Sequence, residues 1–126
     1  MTRAEFVIHG RLPGLNDYIK ANRANRMAGA AMKKKCEKMI CSAIIASKIK
    51  PFENKINITI YWFEPNERRD PDNIEFAIKF ILDSMKNCGI IHDDGRKYVN
   101  QITHLVGTDR NNPEIIVVID DERKKL

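Results

Sequence analysis

Hydrophobic positions change their spacing along the chain, and the spacing predicts where helices and strands lie. Between residues 18 and 48 apolar side chains recur at three- and four-residue steps, as on one face of a helix, with a break predicted around residues 25–29. Isoleucine or tryptophan then stands at every second position from 56 to 62, the alternation of a strand with one side facing a core. A second helix is predicted from Pro71 to about Asn87, ending near Gly89.

Three shorter segments complete the predicted fold. Residues 6–8, 99–107 and 114–120 have strand composition, and the Asp-Arg-Asn-Asn-Pro turn at 109–113 predicts that the last two strands form an antiparallel hairpin. Because helices and strands are interleaved, we expect a single α/β (α+β) domain over residues 1–126, with a small mixed sheet and two main helices.

Composition narrows the class of partner. Of the 126 residues 43% are hydrophobic and 31% charged, which suits one globular domain, and the net charge of +5 favours a polyanionic partner. The three cysteines are odd in number and lack a CxxC pair, so we expect buried, reduced thiols and neither a disulfide framework nor a zinc site. No apolar stretch approaches the ~20 residues of a membrane span, and we expect a cytoplasmic protein without a membrane partner.

Acidic residues cluster at the start of the second predicted helix. Residues 70–73 are Asp-Pro-Asp-Asn, and an Asp-Asp-Gly sequence follows at 93–95. Local structure offers one explanation, because Asp70 is placed to cap a helix that begins at Pro71 and residues 93–95 have the composition of a turn. The same acids are also the oxygen ligands that Mg²⁺ prefers. Capping and metal binding therefore remain alternatives.

Basic residues accompany these acids. Arg68 and Arg69 directly precede them, and guanidinium groups bind phosphate. Lys79 lies two helical turns beyond Asp72 on nearly the same face, where its ammonium can approach a phosphate; the alternative is an ion pair with Glu75. The three histidines lack the paired spacing of zinc ligands, which disfavours a zinc hydrolase.

These features together resemble one family. The Asp-Pro-Asp-Asn motif, a helix that contains Lys79, and Cys-Gly-Ile-Ile-His-Asp-Asp at 88–94 resemble the RusA-type Holliday junction resolvases. Residues 12–18 (Leu-Pro-Gly-Leu-Asn-Asp-Tyr) are similar to that family's N-terminal segment, and the resemblance covers about residues 6–120. It implies a homodimer that resolves four-way DNA by paired symmetric nicks in recombination and repair. It also implies Mg²⁺ or Mn²⁺ as cofactor, no small-molecule cofactor, and 5′-phosphate and 3′-hydroxyl ends.

The resemblance also implies roles for individual residues. Asp70, Asp72 and Asp94 would bind the metal and, with Lys79, form the catalytic set. The DNA-contacting set would comprise Pro13, Gly14, Leu15, Asn16, Arg68, Arg69 and Asn73. Secondary candidates are Asp93, Arg23, Arg26 and Lys33.

Two other hypotheses stay open. The chain could be a non-catalytic nucleic-acid-binding module that uses Arg68, Arg69 and the lysine-rich first helix. It could also be an interaction protein whose acids serve as caps and turns.

Overall fold

A computed structural model describes residues 1–124, in which helices and strands are interleaved as predicted. The elements follow in the order β1 (Arg3–His9), α1 (Leu15–Ala24), α2 (Arg26–Ala46), β2 (Ile56–Glu64), α3 (Pro71–Glu75), α4 (Ile78–Asn87), β3 (Val99–Thr108) and β4 (Glu114–Asp120). The predicted mixed α+β architecture is confirmed.

The four strands form one mixed sheet in the order β1-β4-β2-β3. β4 is antiparallel to both β1 and β2, whereas β3 is parallel to β2, so α3 and α4 form the connection between two parallel strands. The predicted hairpin between β3 and β4 is wrong, because β2 lies between them. Residues 109–113 instead cross the end of β2, where the Asp109 amide donates to the Glu64 carbonyl (2.8 Å).

The core lies between one face of this sheet and the helices. The alternation seen in β2 buries Ile58, Ile60 and Trp62 to 2% exposure or less. Ile40 and Ile44 of α2, four residues apart, are buried in the same core. Side chains at every second position of β2 thus pack in one core with side chains at helical spacing on α2. Both patterns are present in the sequence.

Each of the two predicted helices is interrupted once. The break predicted around residues 25–29 is confirmed at Asn25, whose backbone is extended and whose Oδ1 accepts the Ala28 amide hydrogen (2.7 Å). This bond caps α2, because asparagine side chains satisfy the unpaired amides at a helix start. The second predicted helix is divided at residues 76–77 into α3 and α4.

The opposite face of the sheet is less buried. Its central row joins Val7, Ile116, Tyr61 and Leu105, which the strand register places side by side across all four strands. Leu105 on the edge strand β3 is 47% exposed, and the other three side chains are only partly buried. The sheet therefore carries an apolar row outside the core.

Candidate metal and nucleic-acid site

The turn between β2 and α3 presents two exposed acidic residues, Asp70 and Asp72. Asp70 occupies the N-cap position and its carbonyl accepts the Ile74 amide hydrogen (3.1 Å), but its carboxylate makes no capping hydrogen bond. Asp72 accepts the amide hydrogen of its neighbour Asn73 through Oδ1 (2.9 Å). Pro71 stiffens the turn because its ring fixes φ. The Asp70 carboxylate thus has no capping role here, although the sequence allowed one.

The N-terminal segment packs directly against this corner. Asn73 Oδ1 accepts the backbone N–H of Asn16 (2.9 Å), which joins two segments 57 residues apart. A Cβ on Gly14 would lie 2.5 Å from the same Oδ1 and 2.9 Å from the Asn73 carbonyl oxygen. Glycine at position 14 therefore permits the contact. Three residues of the predicted DNA-contacting set lie together, and Asn73 positions the other two.

Arg69 is the second tie between these segments. Its guanidinium donates to both carboxylate oxygens of Glu64 (2.8 Å each) and to the Leu12 carbonyl (3.1 Å). Arg11 donates to Glu64 from the other side (2.8 Å), so one carboxylate joins two guanidiniums. The Arg69 side chain is only 15% exposed. Its donors are engaged within the protein, and its direct role is to position the corner.

Glu64 is a residue of this corner that the sequence analysis did not single out. Burial opposes its ionisation, but the hydrogen bonds and charges of Arg69 and Arg11 outweigh this effect and hold the pKa of Glu64 below its ordinary value. A signal was present in the alternation of β2. Glu64 stands two positions after Trp62, on the side of the strand that otherwise carries only core residues. An acid at a core position requires a cationic partner. Arg69 is near Glu64 in sequence, and Arg11 is near it in space.

The predicted pair Asp93 and Asp94 divides into a structural and an exposed acid. Asp93 Oδ1 accepts the Asp94 amide hydrogen (2.8 Å) and lies 3.4 Å from Lys86 Nζ. The backbone hydrogen bond first, and then Lys86, lower the pKa of Asp93. Asp94 is exposed. Of the two acids, Asp94 is the more exposed.

The three predicted metal ligands do not form one group. Across residues 1–124, no set of three histidine, cysteine or acidic side chains is arranged to hold a metal ion. Asp70 and Asp72 share one turn, whereas Asp94 lies in the loop between α4 and β3. Two of the predicted ligands therefore share one turn, and the third stands in a separate loop.

Lys79 is exposed on α4. Within residues 1–124, it forms no ion pair with Glu75. The charge of Glu75 instead affects the pKa of His104 on β3. Burial lowers the pKa of His104, and the charge of Glu75 partly offsets this. His104 Nδ1 accepts a hydrogen bond from Trp62 Nε1 (2.9 Å), and the two rings stack. The alternative in which Glu75 neutralises Lys79 is not realised.

The remaining basic candidates differ in whether an acidic side chain already balances their charge. Arg23 and Arg26 are exposed near the junction of α1 and α2. Lys33 Nζ lies 3.5 Å from Asp83 and 3.8 Å from Glu37, so part of its charge is already balanced. Arg68, beside the acidic corner, is exposed. Arg68 is therefore the guanidinium best placed to meet a phosphate at this corner.

A cavity of about 480 Å³ lies between the N-terminal segment and α2. Pro13 lines it, whereas Leu15, the last predicted member of this segment, is partly buried at the start of α1. The lining also includes Arg11, Leu12, Asp17, Met32, Lys35 and Met39. None of the predicted acidic ligands lines this cavity.

No model of a known protein family matches the chain, and no curated protein matches it significantly. Within residues 1–124, every helix is too short or too polar to cross a membrane.

Proposed function

We propose that the chain is a metal-dependent endonuclease that nicks branched DNA in the manner of the RusA-type resolvases. The observation that carries this proposal is the acidic corner, the exposed pair Asp70 and Asp72 on a proline-stiffened turn. Neither carboxylate is neutralised by a cation within 4 Å among the described residues, and Asp70 does not cap its helix. Acids exposed on a rigid turn, with no cation beside them, are suited to a ligand.

The acidic corner fits a hard cation. Mg²⁺ is usually held by one or two carboxylates, with water and substrate phosphate completing an octahedral shell. Asp70 and Asp72 supply that number, and Mn²⁺ accepts the same ligands. A bound ion of this kind lowers the pKa of a coordinated water and stabilises charge on a phosphate. The pair would hold the ion, and Asp94 would join them from its exposed loop.

The neighbouring residues of the corner have separate tasks in this proposal. Arg68 and Lys79 are exposed cations that would bind the DNA phosphates and offset the charge of the acids. Arg69 and Asn73 would act through the protein, because their polar atoms hold the corner against residues 12–16. A fixed corner matters because misplacement of a reacting group by about 1 Å costs about 10²-fold in rate.

A homodimer is part of the proposal, because paired nicks require two acidic corners related by symmetry. The apolar row Val7, Ile116, Tyr61 and Leu105 is a suitable contact, since exposed apolar patches commonly mark protein interfaces. Replacing Leu105 with aspartate should shift the protein toward monomer in light scattering, and cleavage should then lose its paired symmetry.

Cleavage of labelled DNA tests the proposed function. Four-way and linear duplex DNA are incubated with the wild type, Asp72→Asn, and the control Glu53→Gln, which removes one exposed negative charge elsewhere. We expect Mg²⁺-dependent nicks in the four-way DNA alone. They should fall at least about 10³-fold in Asp72→Asn with junction affinity retained, and stay unchanged in Glu53→Gln.

Two outcomes would contradict the proposal. Salt-dependent binding that is indifferent to Mg²⁺, without any nick, would identify a non-catalytic nucleic-acid-binding module. Absence of binding even at low salt would identify an interaction protein whose charges serve its own fold. Circular dichroism of Asp72→Asn separates lost cleavage from lost folding.

A further inference from the structure

Two cysteines that are distant in sequence lie in contact. Cys41 is on α2, Cys88 follows the last residue of α4, and their Sγ atoms are 2.6 Å apart across a sequence separation of 47 residues. Both residues are partly exposed. A disulfide bond is about 2.05 Å long, so a small adjustment of the two side chains suffices to form one.

The packing of α2 against α4 holds this pair in place. Cys41 Sγ also lies 3.8 Å from the Ser84 carbonyl oxygen, and the Cys88 amide donates to that same carbonyl (2.8 Å). Ser84 itself is fully buried, with its hydroxyl donating to the Phe80 carbonyl (2.7 Å). Both thiols are thus set around one buried turn of α4, whereas Cys36 is buried in the core.

We propose that Cys41 and Cys88 form a reversible intramolecular disulfide by exchange with a low-molecular-weight disulfide, which links α2 to the end of α4. This inference does not depend on the proposed function. Disulfides in reducing compartments are usually transient and respond to redox conditions, and the partial exposure of both residues gives a small reagent access.

The exchange proceeds in two balanced steps. Burial first, and then the contact with Cys41, raise the pKa of the Cys88 thiol to about 12. The Cys41 thiolate, after losing its proton to solvent, attacks one sulfur of the small disulfide; that S–S bond breaks, and one small thiolate leaves and is protonated. Cys88 then loses its proton and attacks Cys41 Sγ, so the mixed disulfide breaks and the second small thiolate leaves and is protonated. One small disulfide is reduced to two thiols while the two cysteines are oxidised.

The link would stabilise the fold and restrain the segment that carries Asp93 and Asp94. Closing a loop of this length lowers the entropy of the unfolded chain. Residues 88–91 continue directly from the link and are held by hydrogen bonds from the Ile90 amide to the Met85 carbonyl (2.9 Å) and from the Phe52 amide to the Ile90 carbonyl (2.9 Å). The acidic loop begins just beyond these contacts.

Oxidised glutathione tests the inference on the native full chain at micromolar concentration. We expect titratable thiols under denaturing conditions to fall from three to one. The mass should fall by about 2 Da, with residues 41 and 88 in one cross-linked peptide and no retained glutathione. The melting temperature should rise by at least about 5 °C, reversibly with dithiothreitol. Cys36→Ala should also lose two thiols, whereas Cys41→Ser and Cys88→Ser should form no internal link.

Three results would overturn the inference. The wild type could retain all its thiols, it could carry glutathione stably on one cysteine, or Cys41→Ser could gain the same thermal shift as the wild type. Peptide mapping of the wild type decides the matter even if a serine variant fails to fold.

Discussion

Two acidic regions of this molecule are built in different ways. The acidic corner at Asp70 and Asp72 is fixed from outside, by the Asn73 contact with Asn16 and by the guanidinium of Arg69. The loop at residues 92–95 is held by contacts that are local in sequence, through the Asp93 contact with the next amide and with Lys86 at the end of α4. A site that needs fixed geometry is better supported by contacts with other segments, as at the acidic corner. Local contacts, as in the loop, suit a residue that approaches the site from a distance.

The largest expected effect comes from breaking the Glu64 cluster. Arg69→Met should lower the free energy of unfolding by about 3 kcal/mol, because it leaves a buried carboxylate with one partner instead of two. Lys86→Met, which removes the exposed cation that α4 places beside Asp93, should leave the melting temperature unchanged. Chemical denaturation of both variants measures the difference. Equal losses would mean that the corner is no better supported than the loop.

A pair of glycine substitutions sharpens the comparison. Gly14→Ala places a Cβ 2.5 Å from Asn73 Oδ1 and should cost about 2 kcal/mol of unfolding free energy, since Asn73 must move. Gly95→Ala in the loop meets no atom within 4 Å and should change the unfolding free energy by less than about 0.5 kcal/mol. Thermal or urea unfolding measures both. If Gly14→Ala were as harmless as Gly95→Ala, the contact between the two segments would not contribute to stability.

The pH dependence of stability should report on the Glu64 cluster. The pKa of Glu64 is lower in the folded state than its ordinary value near 4.5, so the unfolded chain binds more protons between these values. The stabilisation by Glu64 is therefore complete above about pH 4.5 and is lost as the pH falls through the folded-state pKa. Glu64→Gln should flatten the fall in stability between about pH 5 and pH 3. An unchanged slope in that variant would contradict the assignment of this pKa shift.

The smallest effect is expected at Asp70. Asp70→Ala should lower the melting temperature by less than about 2 °C, because the carboxylate caps no amide. Asn25→Ala is the matched control, since Asn25 does cap α2, and it should lower the melting temperature by about 4 °C. Scanning calorimetry compares the two. A larger loss for Asp70→Ala than for Asn25→Ala would restore the capping interpretation.

Local sequence patterns predicted much of the fold, but they did not predict which strands pair with each other. The alternation in β2 and the helix break at Asn25 both depend on neighbouring residues, and both are present. The β3–β4 hairpin failed because a turn sequence specifies a reversal of the chain but not the strand beside it. The segment 12–16 was predicted as part of the site by resemblance alone, and its contact with Asn73 depends on tertiary packing that no spacing encodes.

The cysteines show the same limit. Their odd number argued for buried thiols and against a disulfide framework, but only Cys36 is buried, and Cys41 and Cys88 are partly exposed. Nothing in their spacing indicated that Cys41 and Cys88 meet, because the meeting depends on how α2 packs against α4. Predicting such a contact requires the register of two helices, which the sequence pattern leaves undetermined.

Mapping of the cation by hydroxyl radicals tests the central claim most directly. Fe²⁺ is substituted for Mg²⁺ in the DNA complex, ascorbate and peroxide are added, and the polypeptide fragments are sized by mass spectrometry. The proposal predicts backbone cuts at residues 70–72 and at 93–95, both lost in Asp72→Asn and both retained in Glu53→Gln. Cuts that persist in Asp72→Asn, or that fall elsewhere in the chain, would contradict a metal site at the acidic corner.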